Sequence, residues 1–110
     1  KDRTYQSRAT AMSIQHVVLL KIKNDVSEEK VSELFTKLAE LKELIPGITY
    51  FAGGPYSSHE GLNQGYTHGF VMTFDNAQSR DNYLPHPEHE RVKGEILPCI
   101  DGVVAFDFEV

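Results

Sequence analysis

The stretch Tyr83–His89 reads YLPHPEH and holds two histidines and a tyrosine within seven residues. A neutral imidazole can take a proton from a carbon acid, and a phenolic hydroxyl can donate to the oxyanion that forms. If Tyr83 and His89 meet within hydrogen-bond distance beside an enclosed cavity, they form the pair that enolate chemistry needs. Pro85 and Pro87 fix local backbone angles, so His86 and His89 need not face the same way. The simpler alternative is a turn whose ring packs against a sheet. His16 and His68 share strand faces with large apolar residues and, on their own, read as partly buried histidines with satisfied hydrogen bonds.

A rival constellation is a metal site made of His86, His89 and Glu90, completed by His16 or His68. A spacing of three suits two ligands on one helical face, but Pro87 intervenes and no cysteine or second carboxylate motif supports it. No metal site is therefore expected, and no cofactor. The chain has no P-loop, dinucleotide fingerprint or GxSxG elbow. Asp75, Asp81, Asp101 and Asp107 read as strand-end or turn acids. Cys99, the single cysteine, reads as a small core residue and excludes an intrachain disulfide.

These residues need elements to position them. Ile14–Lys23 alternates, with His16, Val18, Leu20 and Ile22 on one face and Val17 and Leu19 on the other, which predicts a strand. Ser27 can cap a helix, and Val31, Leu34, Phe35, Leu38, Leu41 and Ile45 form its apolar stripe up to Pro46-Gly47. Lys30 at the third helical position rules out the full reciprocal capping box. Ile48–Gly53 is a short strand and 57–65 a polar loop. Tyr66–Phe74 is a strand with Tyr66, His68, Phe70, Met72 and Phe74 on one face, and Gly69 opposite leaves room for close packing. Ala77–Leu84 is a short helix ended by Pro85, and Pro87 starts another that runs to Pro98. Val103–Val110 closes the chain, with Val104, Phe106, Phe108 and Val110 opposite Asp107 and Glu109.

The order strand, helix, strand, strand, helical pair, strand is the split βαβ arrangement. It predicts an α+β sandwich with a four-stranded antiparallel sheet and helices on one face. The strands carry more large apolar residues than one face can use. Pairing two sheets face to face about a two-fold axis covers the surplus, so the expected partner is a second copy of the chain.

The whole-chain properties agree. The 110 residues suffice for one domain, with 40% hydrophobic and 25% charged residues. Eleven basic against sixteen acidic residues give a net charge of −5, which argues against nucleic-acid or anionic-membrane partners. No apolar run approaches the ~20 residues that span a bilayer. A cytoplasmic domain over residues 12–110 is expected. Residues 1–11, before Met12, read as a flexible arm or expression remnant outside the fold.

The segments QHVVLLKIK, LIPGI, NQGYTHGFVMTF, DNYLPHPEH and VVAFDFEV, with their spacing, make the region Ile14–Val110 resemble the stress-responsive A/B-barrel domain family. The resemblance implies a ferredoxin-like sandwich that dimerises through its sheets into an α/β barrel, in some members associating beyond the dimer. It implies either a heat-stable stress protein with a pocket for a small apolar or phenolic ligand, or a cofactor-independent lyase. The latter would be a polyketide cyclase performing an aldol-type condensation. By resemblance, His89 and Tyr83 would be the catalytic base and hydroxyl, and His16 and His68 would bind substrate. The chain departs from the cyclase-like pattern at Pro85, which can turn Tyr83 away from a pocket, and at Gly53-Gly54-Pro55, which replaces a Trp-Gly pattern.

Overall fold

The computed structural model describes residues 12–110; the expected N-terminal arm lies outside the described residues. The elements run β1 (Ile14–Ile22), α1 (Glu28–Leu44), β2 (Ile48–Pro55), β3 (His68–Phe74), α2 (Ala77–Tyr83), α3 (Pro87–Ile96), a short 3₁₀ turn (Leu97–Cys99) and β4 (Ile100–Glu109). The strands form one antiparallel sheet in the order β2-β3-β1-β4, the predicted split βαβ topology.

Helix α1 begins where Ser27 accepts a hydrogen bond from the Lys30 amide at 3.0 Å. Glu28 and Glu29 sit in its first turn, where they favour the positive end of the helix dipole. Its stripe of Val31, Leu34, Leu38 and Leu41 is buried against the sheet. The Ile45 amide returns to the Leu41 carbonyl, and Gly47 follows at φ 95, a left-handed conformation that suits glycine. A side chain at Gly47 would also collide with Ser79. The inner face of the central strands supplies Ile14, Val18, Leu20, Phe70, Met72 and Phe74, all buried.

β2 runs two residues further than its sequence suggests, pairing Gly54 with Gly69 and Pro55 with His68. It is an edge strand, where a missing proline N–H costs no ladder bond. Gly53 faces inward, and a Cβ there would lie 2.7 Å from both Phe35 Cε2 and Phe70 Cβ and 2.9 Å from the Gly69 carbonyl oxygen. That glycine lets Phe35 of α1 approach the sheet. β3 starts at His68 rather than Tyr66, because Tyr66 is held in the preceding turn by its amide bond to the Asn63 carbonyl.

The two faces of the sheet differ in chemistry. Register places Val17 beside Val71 and Phe106, and Leu19 beside Gly69 and Val104, all on the face away from the helices. A Cβ at Gly69 would sit 3.0 Å from Leu19 Cδ2, so Leu19 occupies the space that Gly69 leaves. Leu19, Tyr50, Val104, Phe106 and Phe108 are exposed on this face, Phe106 by 64%. The same register turns Asp107 toward the helices, directly beside His16.

Candidate active site

Helices α2 and α3 cover the sheet incompletely. Val103 and Ala105 of β4 face the helices yet remain exposed, and between them and α3 lies a cavity of about 280 Å³. His16, Tyr83 and His89 all line it, among walls that include Val18, Leu38 and Phe70. Three of the four site residues expected from sequence therefore share one space. His68 does not line that cavity. It borders a second, larger one of about 590 Å³, together with Phe35, Val31 and Thr67.

Tyr83 and His89 meet by stacking. Their ring centroids are 4.2 Å apart at an interplanar angle of 35°. The direct hydrogen bond expected between them is not formed. Instead, His89 Nδ1 bonds the Leu84 carbonyl at 2.9 Å. The helix break explains this partner: α2 ends at Tyr83 and leaves its last carbonyls without intrahelical donors, and the imidazole of α3 reaches back to one of them. A carbonyl only accepts, so the proton sits on Nδ1 and Nε2 carries the lone pair. Burial lowers the His89 pKa below its ordinary value, ahead of the opposing bond to Leu84, which keeps the ring neutral near pH 7.

Pro85 does not turn Tyr83 outward. Leu84 stays helical at φ −57 and ψ −43, the His86 amide bonds the Tyr83 carbonyl at 3.0 Å, and Tyr83 is 1% exposed. Its ring packs against Phe74, with centroids 5.0 Å apart. The hydroxyl finds no hydrogen-bond partner among the described residues, and burial pushes its pKa well above the usual tyrosine range. The phenol therefore stays protonated at neutral pH.

His16 is 8% exposed and stands inside an aromatic cage of Phe70, Phe74 and Tyr83. Its Nδ1 donates to Asp107 Oδ1 at 2.6 Å, and Asp107 Oδ2 accepts from Arg80 at 2.7 Å. Arg80 also donates to Asp81 at 2.8 Å. Burial alone would raise the Asp107 pKa, but the bonds from His16 and Arg80 outweigh it and leave the carboxyl below its ordinary value. The ionised carboxylate commits His16 Nδ1 and leaves only Nε2 for the cavity. Asp107 is thus no turn acid. Its sequence signal was a charged residue on one face of an otherwise apolar strand, but register was needed to show that this face meets His16.

His68 is held differently. The Thr67 hydroxyl donates to the Leu20 carbonyl at 3.3 Å and accepts from the Ile22 amide at 3.1 Å. His68 Nδ1, 2.9 Å from that oxygen, is then the donor of the pair. Burial lowers the His68 pKa. His86, considered above as a metal ligand, caps α3: its Nδ1 accepts from the Glu88 amide at 3.0 Å. Cys99 is buried, as expected of a core residue.

Comparison with known proteins agrees with this architecture. The profile of the Stress responsive A/B Barrel Domain matches residues 14–110. The chain belongs to this family. The domain is 36% identical over 96 residues to the stress-response A/B barrel domain-containing protein HS1 of Arabidopsis thaliana, covering 87% of this chain and 88% of HS1. It is 28% identical over 78 residues to olivetolic acid cyclase of Cannabis sativa, covering 71% and 77% of the two chains. The crystal structure of a dimeric ferredoxin-like protein of unknown function from Jannaschia superposes with a TM-score of 0.80 at 29% identity, over 89% of this chain and 99% of that one. No helix among the described residues is long and apolar enough to cross a membrane.

Proposed function

We propose that this A/B-barrel domain is a homodimer whose cavity between sheet and helices binds a small, largely apolar carbonyl or phenolic compound. The exposed outer face of Leu19, Tyr50, Val104, Phe106 and Phe108 supports the dimer, because a contiguous apolar patch on a sheet is covered by a matching sheet. The dimeric relative from Jannaschia points the same way. The observation that carries the ligand reading is the chemistry of the 280 Å³ cavity. Within apolar walls stand one imidazole whose Nε2 lone pair has no partner among the described residues, one hydroxyl likewise without one, and a second imidazole anchored from behind.

That same triad favours a second reading, cofactor-independent carbon-acid chemistry of the lyase or cyclase type. His89 Nε2 would remove a proton next to a carbonyl, and the Tyr83 hydroxyl would donate to the enolate oxygen, with His16 orienting the carbonyl. The likeness to olivetolic acid cyclase supports this reading. His68, in its separate cavity, has no part in that step.

A thermal-shift screen of wild type and His89→Ala against small phenolics and β-dicarbonyl compounds tests the binding reading. A ligand at 100 times its Kd stabilises by about 2.7 kcal/mol, a clear rise in Tm. A rise that disappears in the variant places the ligand at His89, and deuterium incorporation at the acidic carbon, followed by NMR, then reads the chemistry. No rise with any compound refutes the ligand site.

A further inference from the structure

The cavity beside His89 has one formally charged residue in its lining, Lys93. Among the described residues, no carboxylate joins it there. Lys93 follows His89 by four positions on α3, so both project from the same face of the helix. Its ammonium lies 3.3 Å from Glu90, and both side chains are about half exposed. Such a surface pair is weak and gives way readily to a better partner. Leu84 and Leu97, 44% and 52% exposed, also line the cavity, so apolar surface continues out to solvent. The groups acting on His89 include Lys93, Glu90 and His16, while Asp107 is committed to His16 and Arg80. A ligand therefore meets an apolar interior with hydrogen-bonding groups and a lysine whose ion-pair partner among the described residues is a solvated glutamate.

We propose that Lys93 selects the ligands of this cavity for a carboxylate, making the occupant a small amphipathic acid. Its ring or alkyl body lies among Val18, Leu38 and Phe70, and its carboxylate accepts from the Lys93 ammonium. This inference rests on the reading of the cavity as a ligand site and names the substrate class. A charge-assisted bond at the edge of an apolar space is stronger than its solvated counterpart, whereas an amide of the same shape gains no ion pair. The residue matters for specificity rather than for proton transfer.

The test is a pair of shape-matched probes, 3-phenylpropionate and 3-phenylpropionamide, titrated at pH 7.5 by ligand-observed NMR. The proteins are wild type, Lys93→Gln, Lys93→Arg and His89→Ala. Wild type should bind the acid about five- to tenfold tighter than the amide, the range of a partly exposed charge-assisted contact. Lys93→Gln should bind both equally, Lys93→Arg should keep the preference, and added salt should narrow it. Unchanged melting curves for the Lys93 variants exclude misfolding as the cause. Equal binding of the two probes by wild type, or a preference that survives in Lys93→Gln, overturns the inference. If both probes bind equally and both weaken in His89→Ala, the ligand site stands and only the role of Lys93 falls. Binding of neither probe by wild type overturns this inference, while the cavity reading itself stands or falls by the screen of phenolics and β-dicarbonyl compounds.

Discussion

Replacing Asp107 by alanine removes a carboxylate that holds both His16 and Arg80. His16 is 8% exposed, so its Nδ1–H would lose its acceptor in a place water reaches poorly. A buried donor left without a partner costs about 1–3 kcal/mol. Arg80 keeps Asp81, and its side chain is 23% exposed, so its loss adds about 0.5–1 kcal/mol. Together these predict about 1.5–4 kcal/mol, or a Tm lower by about 6–20 °C for a domain of this size. Asp107→Asn should cost about half as much, since the amide oxygen still accepts from His16 while the charge facing Arg80 is gone. Urea melts at pH 7 and fixed protein concentration measure both. The pH dependence follows from the depressed Asp107 pKa. A carboxyl whose folded pKa lies below its unfolded value of about 3.9 stabilises fully above that value. The contribution is lost as pH falls through the lower folded value, so the gap between wild type and Asp107→Ala should be full at pH 6 and shrink in acid. A cost under about 0.5 kcal/mol for Asp107→Ala, the size of an ordinary surface change, would refute the reasoning.

Other perturbations separate stability from function. Tyr83→Phe removes a buried hydroxyl that has no partner among the described residues, so stability should hold or rise by up to about 1 kcal/mol, while deuterium exchange at a bound carbon acid is lost. A drop in stability of more than about 1 kcal/mol would mean that the hydroxyl is bonded. The pKa values of His68 and His89 are both lowered by burial. The unfolded chain then binds more protons below about pH 6.5, so stability is full above that value and falls as pH drops through the folded values. Melting curves from pH 8 to 5 should show this slope in wild type and a flatter one in the His68→Gln/His89→Gln double variant; equal slopes would count against it. Phe106→Glu puts a charge on the exposed outer face of the sheet. Light scattering at micromolar concentration should give twice 12.4 kDa for wild type and 12.4 kDa for the variant, and a monomeric wild type would overturn the sheet-to-sheet dimer.

Much of this architecture was legible in residue order because its signals are local. Ser27 caps α1, the three- and four-residue spacing of Val31, Leu34, Leu38 and Leu41 forms its buried stripe, and Pro46-Gly47 ends it. Alternation in Ile14–Ile22 and His68–Phe74 marks strands whatever their neighbours are. The YLPHPEH segment likewise announced a helix break with a tyrosine and a histidine near it.

What the residue order did not carry is which face of each strand meets the helices and how rings orient across a break. On β4 the aromatic face, Phe106 and Phe108, points away from the helices, and Asp107 points toward them; pairing with β1 decides this, since a slip of one residue inverts every side chain. The same pairing joins His16 to Asp107, and packing of α2 on the sheet brings Arg80 to the same carboxylate, though the three are distant in the chain. His89 turns to the Leu84 carbonyl because ending α2 leaves that acceptor free, so Tyr83 and His89 stack instead of sharing a proton. His16 and His68 begin adjacent strands and look equivalent in sequence, yet the latter opposes Leu20 at the other end of the ladder and borders a different cavity. Periodicity along the chain determined the elements, and register across the sheet decided the site, because hydrogen-bonded pairing sets distances that no single strand contains.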